Sequence, residues 1–323
     1  MSPAGTELRA AWAGRAGRAR RRLTGLGYRA GWAGVRAAPL PVAAAAFRLG
    51  ADVAWWRRPA SVRRLERNLA RVAGPMTEDE LRRLSRAAMR SYLRYWLEAF
   101  RLPVIPTERI VGEMAVQDEA ILRAALAAGQ GVIVALPHMG NWDHAGAWLV
   151  ATGVPFTTVV ERLEPEEVFD RFVAFRESLG MEVLPLTGGD QSPYRVLAER
   201  LRAGGCVCLV ADRDLSASGV DVDFFGETAR MPAGPAALAV GTGAALLPVT
   251  LWYAERGRGW RARIHRPVRP PAGLERRAQV AAMTQSLADA FAAAIAEHPA
   301  DWHMLQRLWL ADLDPRRPAA KAA

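Results

Sequence analysis

The residues best suited to chemistry lie in one run, Leu136-Pro137-His138-Met139-Gly140-Asn141-Trp142-Asp143-His144. It follows the unbroken apolar stretch 131–137, which predicts a buried strand. His138 would leave the carboxyl end of that strand, and Asp143 would sit in the first turn of the next helix. Open α/β sheets bind their ligands at that edge. A neutral imidazole placed there can take a proton from a hydroxyl near pH 7. The tight turn offered by Gly140-Asn141 would fold Asp143 back onto His138 Nδ1, fixing the tautomer and strengthening Nε2 as a base. The plainer alternative is an Asp that caps a helix beside a partly buried His.

Other candidates are more dispersed. Asp212 ends the apolar stretch 206–211 and precedes Arg213 and Asp214; a carboxylate there serves either a site or a turn. Glu161 and Arg176 flank a strand–helix unit and would pair across it, as a structural link or to orient a polar head group. Asp221 and Asp223 alternate along a short strand and would face solvent. Met231-Pro232-Ala233-Gly234-Pro235 feeds a small-residue helix that permits close backbone approach or a channel for a thin apolar ligand. A metal set of His138, Asp143 and His144 is disfavoured, because neighbouring helix positions do not share a face and no fourth ligand is evident; no metal is expected. The two cysteines, Cys206 and Cys208, stand i,i+2 on a strand and read as small buried residues of a reducing compartment. No glycine-rich dinucleotide motif, P-loop or G-x-S-x-G occurs, so those enzyme classes lack support.

Alternating patterns supply the frame for these residues. Helices are expected over 41–56, 61–72, 77 to about 100, 142–151, 165–179, 194–203 and 275–297. Thr77 followed by Glu78, Asp79 and Glu80 marks the start of the third of them. Strands are expected over 131–137, 155–160, 181–186, 205–211 and 220–225, with a hairpin joining 245–253 to 260–268. Near-continuous apolar strands with helical crossovers imply an α/β fold, a central mostly parallel, mixed sheet flanked by helices. The hairpin would provide an antiparallel edge.

Composition separates the chain into unequal parts. Its 323 residues suit one large domain or two modest ones, and 24% charged residues fit a folded protein better than a disordered chain. Residues 1–74 hold 15 Arg against 3 acidic groups, whereas the rest is nearly neutral. This sets a basic, partly helical segment over 1–74 apart from an α/β body over 75–310 and a tail over 311–323. Neither the uncharged stretch 37–47 nor the Pro- and Gly-broken stretch 231–254 reads as a membrane span, and no secretory leader is expected.

At three ordered blocks the sequence resembles a known family. Leu136 to Asp143 is similar to the His-x4-Asp block of the lysophospholipid acyltransferase superfamily, in the form used by lipid A late acyltransferases. Val220-Asp221-Val222-Asp223-Phe224-Phe225-Gly226 with Met231-Pro232-Ala233-Gly234 resembles that branch's second block. Pro299-Ala300-Asp301-Trp302-His303-Met304-Leu305-Gln306-Arg307 resembles its closing signature. Glu161 and Asp212-Arg213-Asp214-Leu215 look most like the actinobacterial enzymes that acylate phosphatidylinositol mannosides. The resemblance implies a glycerol-3-phosphate acyltransferase-like fold and transfer of a fatty acyl group from acyl-CoA, palmitoyl-CoA in particular, to a mannose hydroxyl, at the 6-position. It implies His138 as general base, Asp143 as the residue that orients it or holds the site, and Asp212 as the carboxylate coupled to His138. Those enzymes tend to carry Glu where Asp212 stands, one methylene longer. Glu161, Arg176, Asn141, Arg230 and Gly234 would contact or shape the substrates, acyl-CoA and the glycolipid, and no cofactor is implied. The basic segment would dock on an anionic membrane at its cytoplasmic face. Acylation of a lipid A precursor or another glycolipid is the alternative within the class. A non-catalytic protein binding anionic lipid or nucleic acid is the alternative outside it, and would leave His138, Asp143 and Asp212 without a task.

Overall fold

The computed structural model describes residues 31–162, 166–188, 191–214, 219–254 and 259–313. Expectations placed on residues 1–30, on Leu215, on the 255–258 turn and on the tail beyond 313 lie outside the described residues.

Helices come first. The chain is helical over 31–37 (α1), then over Leu40–Arg57 (α2), Ala60–Val72 (α3) and Glu78–Arg101 (α4). Pro41 sits in the first turn of α2, where its missing N–H costs nothing, and Arg58 in the left-handed region ends the helix just before Pro59. The start of α4 is a reciprocal capping box, in which Thr77 accepts from the Glu80 N–H and the Glu80 side chain accepts from the Thr77 N–H. A short helix, Thr107–Gly112 (α5), leads into Met114–Gln117 (β1) and Glu119–Ala127 (α6). The alternating part follows as Val132–Leu136 (β2), Trp142–Ala151 (α7), Phe156–Val160 (β3), Glu166–Glu177 (α8), Glu182–Pro185 (β4), Pro193–Arg202 (α9) and Cys206–Val210 (β5). Val220–Phe224 (β6) and Glu227–Met231 (β7) form a separate antiparallel ribbon. Gly234–Thr242 (α10), Ala245–Tyr253 (β8), Trp260–Ile264 (β9) and Arg276–Glu297 (α11) close the body.

The main sheet has the order β1-β9-β8-β2-β5-β3-β4. β8, β2, β5, β3 and β4 run parallel, while β9 is antiparallel to β8. The expected hairpin is present but is not the edge. β1 pairs in parallel with β9 beyond it, making a two-strand flank of opposite direction. β2 is apolar throughout because helices cover both sheet faces. Ile133 and Ala135 enter one core with Val207, Leu246, Leu65, Leu69, Leu201 and Phe291. Val132, Val134 and Leu136 enter the other with Cys206, Cys208, Trp148, Phe156 and Val249. Both cysteines are free and buried on the same face.

The helical N-terminal part is joined firmly to the body. Val62, Leu65, Leu69 and Val72 of α3 belong to the first core. The buried Asn68 amide donates to the carbonyls of Met304 (2.8 Å) and Gln306 (2.9 Å), and so anchors the closing segment of the chain.

Candidate active site

Strand register creates the site. β2 and β5 are parallel neighbours with Leu136 opposite Val210, so residues two positions beyond each strand end emerge side by side. Those residues are His138 and Asp212. Asp212 is fully buried. Its Oδ1 lies 2.5 Å from His138 Nδ1, and its Oδ2 accepts from the His138 backbone N–H at 2.9 Å. The Trp302 indole N–H donates to the same Oδ2 at 3.0 Å. Burial alone would raise the Asp212 carboxyl, but the adjacent His138 and the donors from His138 and Trp302 outweigh it and hold the group below its ordinary range. An ionised Asp212 only accepts, which assigns the hydrogen to Nδ1 and leaves Nε2 as the basic nitrogen. The shorter Asp side chain thus reaches the ring without difficulty.

The loop carrying His138 is held from the far end of the sequence. His303 N–H donates to the His138 carbonyl at 2.7 Å, and Gly140 N–H donates to the Asp301 carbonyl at 2.9 Å. Met139 forms an antiparallel bridge with Trp302 between them. Gly140 has φ +60, and a Cβ there would lie 2.8 Å from the Leu251 backbone. Only glycine meets both conditions. The strap is itself fixed, since Asp301 accepts from Ser91 Oγ (2.6 Å) and from the Tyr253 N–H (3.0 Å). Burial pushes the His303 ring down to about 3, with His138 adding to the shift, so His303 stays neutral in the working range.

Asp143 does not fold back onto His138. It is buried in the first turn of α7, where Oδ2 accepts from the Tyr95 hydroxyl (2.8 Å) and Oδ1 from Arg176 Nε (2.7 Å). The expected closure of a His138–Asp143 pair by the Gly140-Asn141 turn is therefore corrected. The turn sends the chain into a helix that aims Asp143 toward α4 and α8, and Asp212 takes the imidazole instead. Arg176 likewise pairs with Asp143, whereas Glu161 is exposed after β3, so the expected Glu161–Arg176 pair is not formed. Burial and the charge of Asp143 both push the Tyr95 hydroxyl well above its usual range. Trp142 joins the two pairs, with its ring 5.7 Å from His138 and 4.1 Å from Tyr95.

Asn141 is the N-cap of α7. Its Oδ1 accepts from the His144 N–H (2.9 Å), and its Nδ2 donates to Glu98 Oε2 (2.8 Å), so both ends of the buried amide are occupied. His144 stacks on Trp260, ring centroids 3.6 Å apart, and burial lowers it to about 4. Arg230, on β7, pairs with Asp221 at 2.7 Å, and its carbonyl accepts from the Asp214 N–H. Gly234 opens α10, with open space where a Cβ would stand. Asp223 Oδ1 accepts from the Gly226 N–H in the ribbon turn. Tyr95, Glu98, Ser91, Asp301, Trp302 and His303 support the site without having been assigned a part by sequence reasoning. Only the closing signature, 299–307, pointed toward any of them.

Comparison with known proteins gives this geometry a family context. The family described as bacterial lipid A biosynthesis acyltransferase matches residues 18–311. The phosphatidylinositol mannoside acyltransferase of Mycolicibacterium smegmatis is 53% identical over 297 residues, covering 92% of this chain and 95% of that protein. The phosphatidylinositol mannoside acyltransferase of Mycobacterium tuberculosis is 50% identical over 304 residues, covering 93% of this chain and 92% of its own.

Proposed function

The chain belongs to the bacterial lipid A biosynthesis acyltransferase family and is an acyl-transfer enzyme, and on that footing we propose that it acylates a mannose hydroxyl of phosphatidylinositol mono- or dimannoside. The donor is acyl-CoA, with palmitoyl-CoA preferred, and the acceptor is the 6-hydroxyl. The observation that carries this reading is the His138–Asp212 pair at the carboxyl end of β2, with Nδ1 engaged and Nε2 left as the base.

A sugar hydroxyl is a weak nucleophile near neutral pH. His138 Nε2 removes its proton as the oxygen attacks the thioester carbonyl. The ester C–O bond forms, the C–S bond breaks, and the imidazolium returns the proton to the departing thiolate to give free CoA. Buried, ionised Asp212 stabilises the transient imidazolium and keeps the ring in its tautomer, the function a carboxylate performs behind a catalytic His in acyl transfer. Asp143 holds the site together through Arg176 and Tyr95. Glu161, exposed beside β3, is assigned to the acceptor head group, and Arg230 and Gly234 to the substrates. Asn141 and Arg176 act on the site indirectly, by fixing α7 and α8.

The test is product identification. Incubation with palmitoyl-CoA and a panel of glycolipid acceptors, read by mass spectrometry, should add one palmitoyl group to the mannosylated phosphatidylinositols. Acylation of another glycolipid alone would overturn the acceptor while keeping the class.

We also assign the enzyme to the cytoplasmic surface of the inner membrane, where its substrates meet. No helix among the described residues is long and apolar enough to cross a membrane. Support for surface docking comes from α2. One face packs on α4, and the other exposes Val42 (60%), Leu49 (65%) and Trp56 (75%) beside Arg48, Arg57 and Arg58. The basic residues through position 74 would add attraction to anionic head groups. Leu49→Asp with Trp56→Asp should weaken partitioning onto anionic phospholipid vesicles by about tenfold or more in a sedimentation assay. Unchanged partitioning would contradict docking through this face.

A further inference from the structure

The contact between Trp302 and Asp212 joins residues 90 positions apart. Asp212 Oδ1 serves the imidazole, whereas Oδ2 receives two donors, the His138 backbone N–H and the Trp302 indole. Without the indole, Oδ2 would retain only a donor from the loop that must itself be positioned. Trp302 is fully buried, and its strap grips the same loop on both sides through Asp301 and His303. One three-residue segment therefore fixes both partners of the pair. We propose that Trp302 is a positioning residue for acyl transfer, its indole N–H locking the Asp212 carboxylate so that Oδ1 stays on the His138 ring.

This inference rests on His138 being the base, and it reaches beyond that role to the control of its basicity. A carboxylate deprived of the indole N–H is less stabilised and more basic, and it holds the His138 ring proton more strongly. Among the described residues, the ionisable groups near the pair include His303 and Asp301 on the strap, Tyr92 against the His303 ring, Arg213 and Asp214 next to Asp212 in the chain, and the Tyr95–Asp143–Arg176 set behind Trp142. Loss of the indole N–H removes none of their hydrogen bonds.

The test compares Trp302→Phe, Trp309→Phe and the wild-type enzyme by pH–rate profile. Trp309 is equally buried but donates to the Phe224 carbonyl (2.9 Å), away from the pair. Folded Trp302→Phe should show kcat lowered about tenfold and KM unchanged. The acid limb of its kcat/KM profile should move up by about half a pH unit. Trp309→Phe should keep the wild-type limb. Should Trp302→Phe fold poorly, β-(3-benzothienyl)alanine at position 302 keeps the ring shape without the N–H and should shift the limb equally. An acid limb that stays in place in either folded Trp302 variant, whatever its kcat, would overturn the proposal by reducing Trp302 to packing. The assignment of His138 fails separately, if folded His138→Ala still transfers acyl groups.

Discussion

Replacing His138 by alanine is expected to abolish acyl transfer, with kcat lowered by about 10³-fold or more, in a protein that remains folded. The side chain is 28% exposed at the end of β2, where water can enter the space it leaves, so the loss falls mainly on chemistry. Its removal leaves Asp212 Oδ2 with the donors from Trp302 and from the backbone N–H at position 138, while Oδ1 loses the ring N–H, so a lower melting temperature short of unfolding is expected. Circular dichroism and a thermal melt separate folding from rate. A folded His138→Ala protein that transfers at the wild-type rate would exclude the imidazole as base.

The second large effect concerns stability. Arg176→Ala should lower unfolding free energy by about 3 to 5 kcal/mol, because it strands a buried charge. Asp143 is 2% exposed and Arg176 15%, so water cannot replace the missing partner. A fall of the urea midpoint at constant slope reads this directly. Asp143→Asn should also destabilise the protein, but less, since Arg176 is more exposed than Asp143 and the amide oxygen can still accept a hydrogen bond from it. Because Asp143 makes no hydrogen bond to His138, the folded Asp143→Asn enzyme should keep the wild-type acid limb in its pH profile. A shifted limb would mean that Asp143 tunes the imidazole after all. A urea midpoint unmoved in Arg176→Ala would mean that the ion pair is dispensable.

What the sequence discloses follows from how far apart the cooperating residues lie. The run from Val132 to Asp143 was legible because a strand covered on both faces must be apolar throughout and then change character abruptly at His138. The boundaries of α4 and α7 were legible from Thr77 with Glu80 and from the chain entering a helix at Trp142. β1 was not, since Met114–Gln117 is four residues long and partly exposed at the sheet edge. β7 was not, since Glu227–Met231 lies in a polar ribbon without a continuous apolar run. The identity of the imidazole's partner was hidden from local spacing. Asp143, five positions away, is turned aside by the helix, whereas Asp212, 74 positions away, is delivered by parallel register. Resemblance supplied that coupling where periodicity could not. The Trp302 bond was invisible to both, because nothing local marks an indole as the second donor to a distant carboxylate.

In the proposed mechanism one His–Asp pair moves an acyl group directly from CoA to a mannosylated lipid. Its most direct measurement couples two readouts in a single assay with palmitoyl-CoA and a phosphatidylinositol mannoside, thiol release and the mass of the lipid product. The wild-type enzyme should release one CoA for each palmitoylated lipid formed, and folded His138→Ala should produce neither. Thiol release without lipid acylation in the wild type, or acylated lipid from His138→Ala, would contradict it.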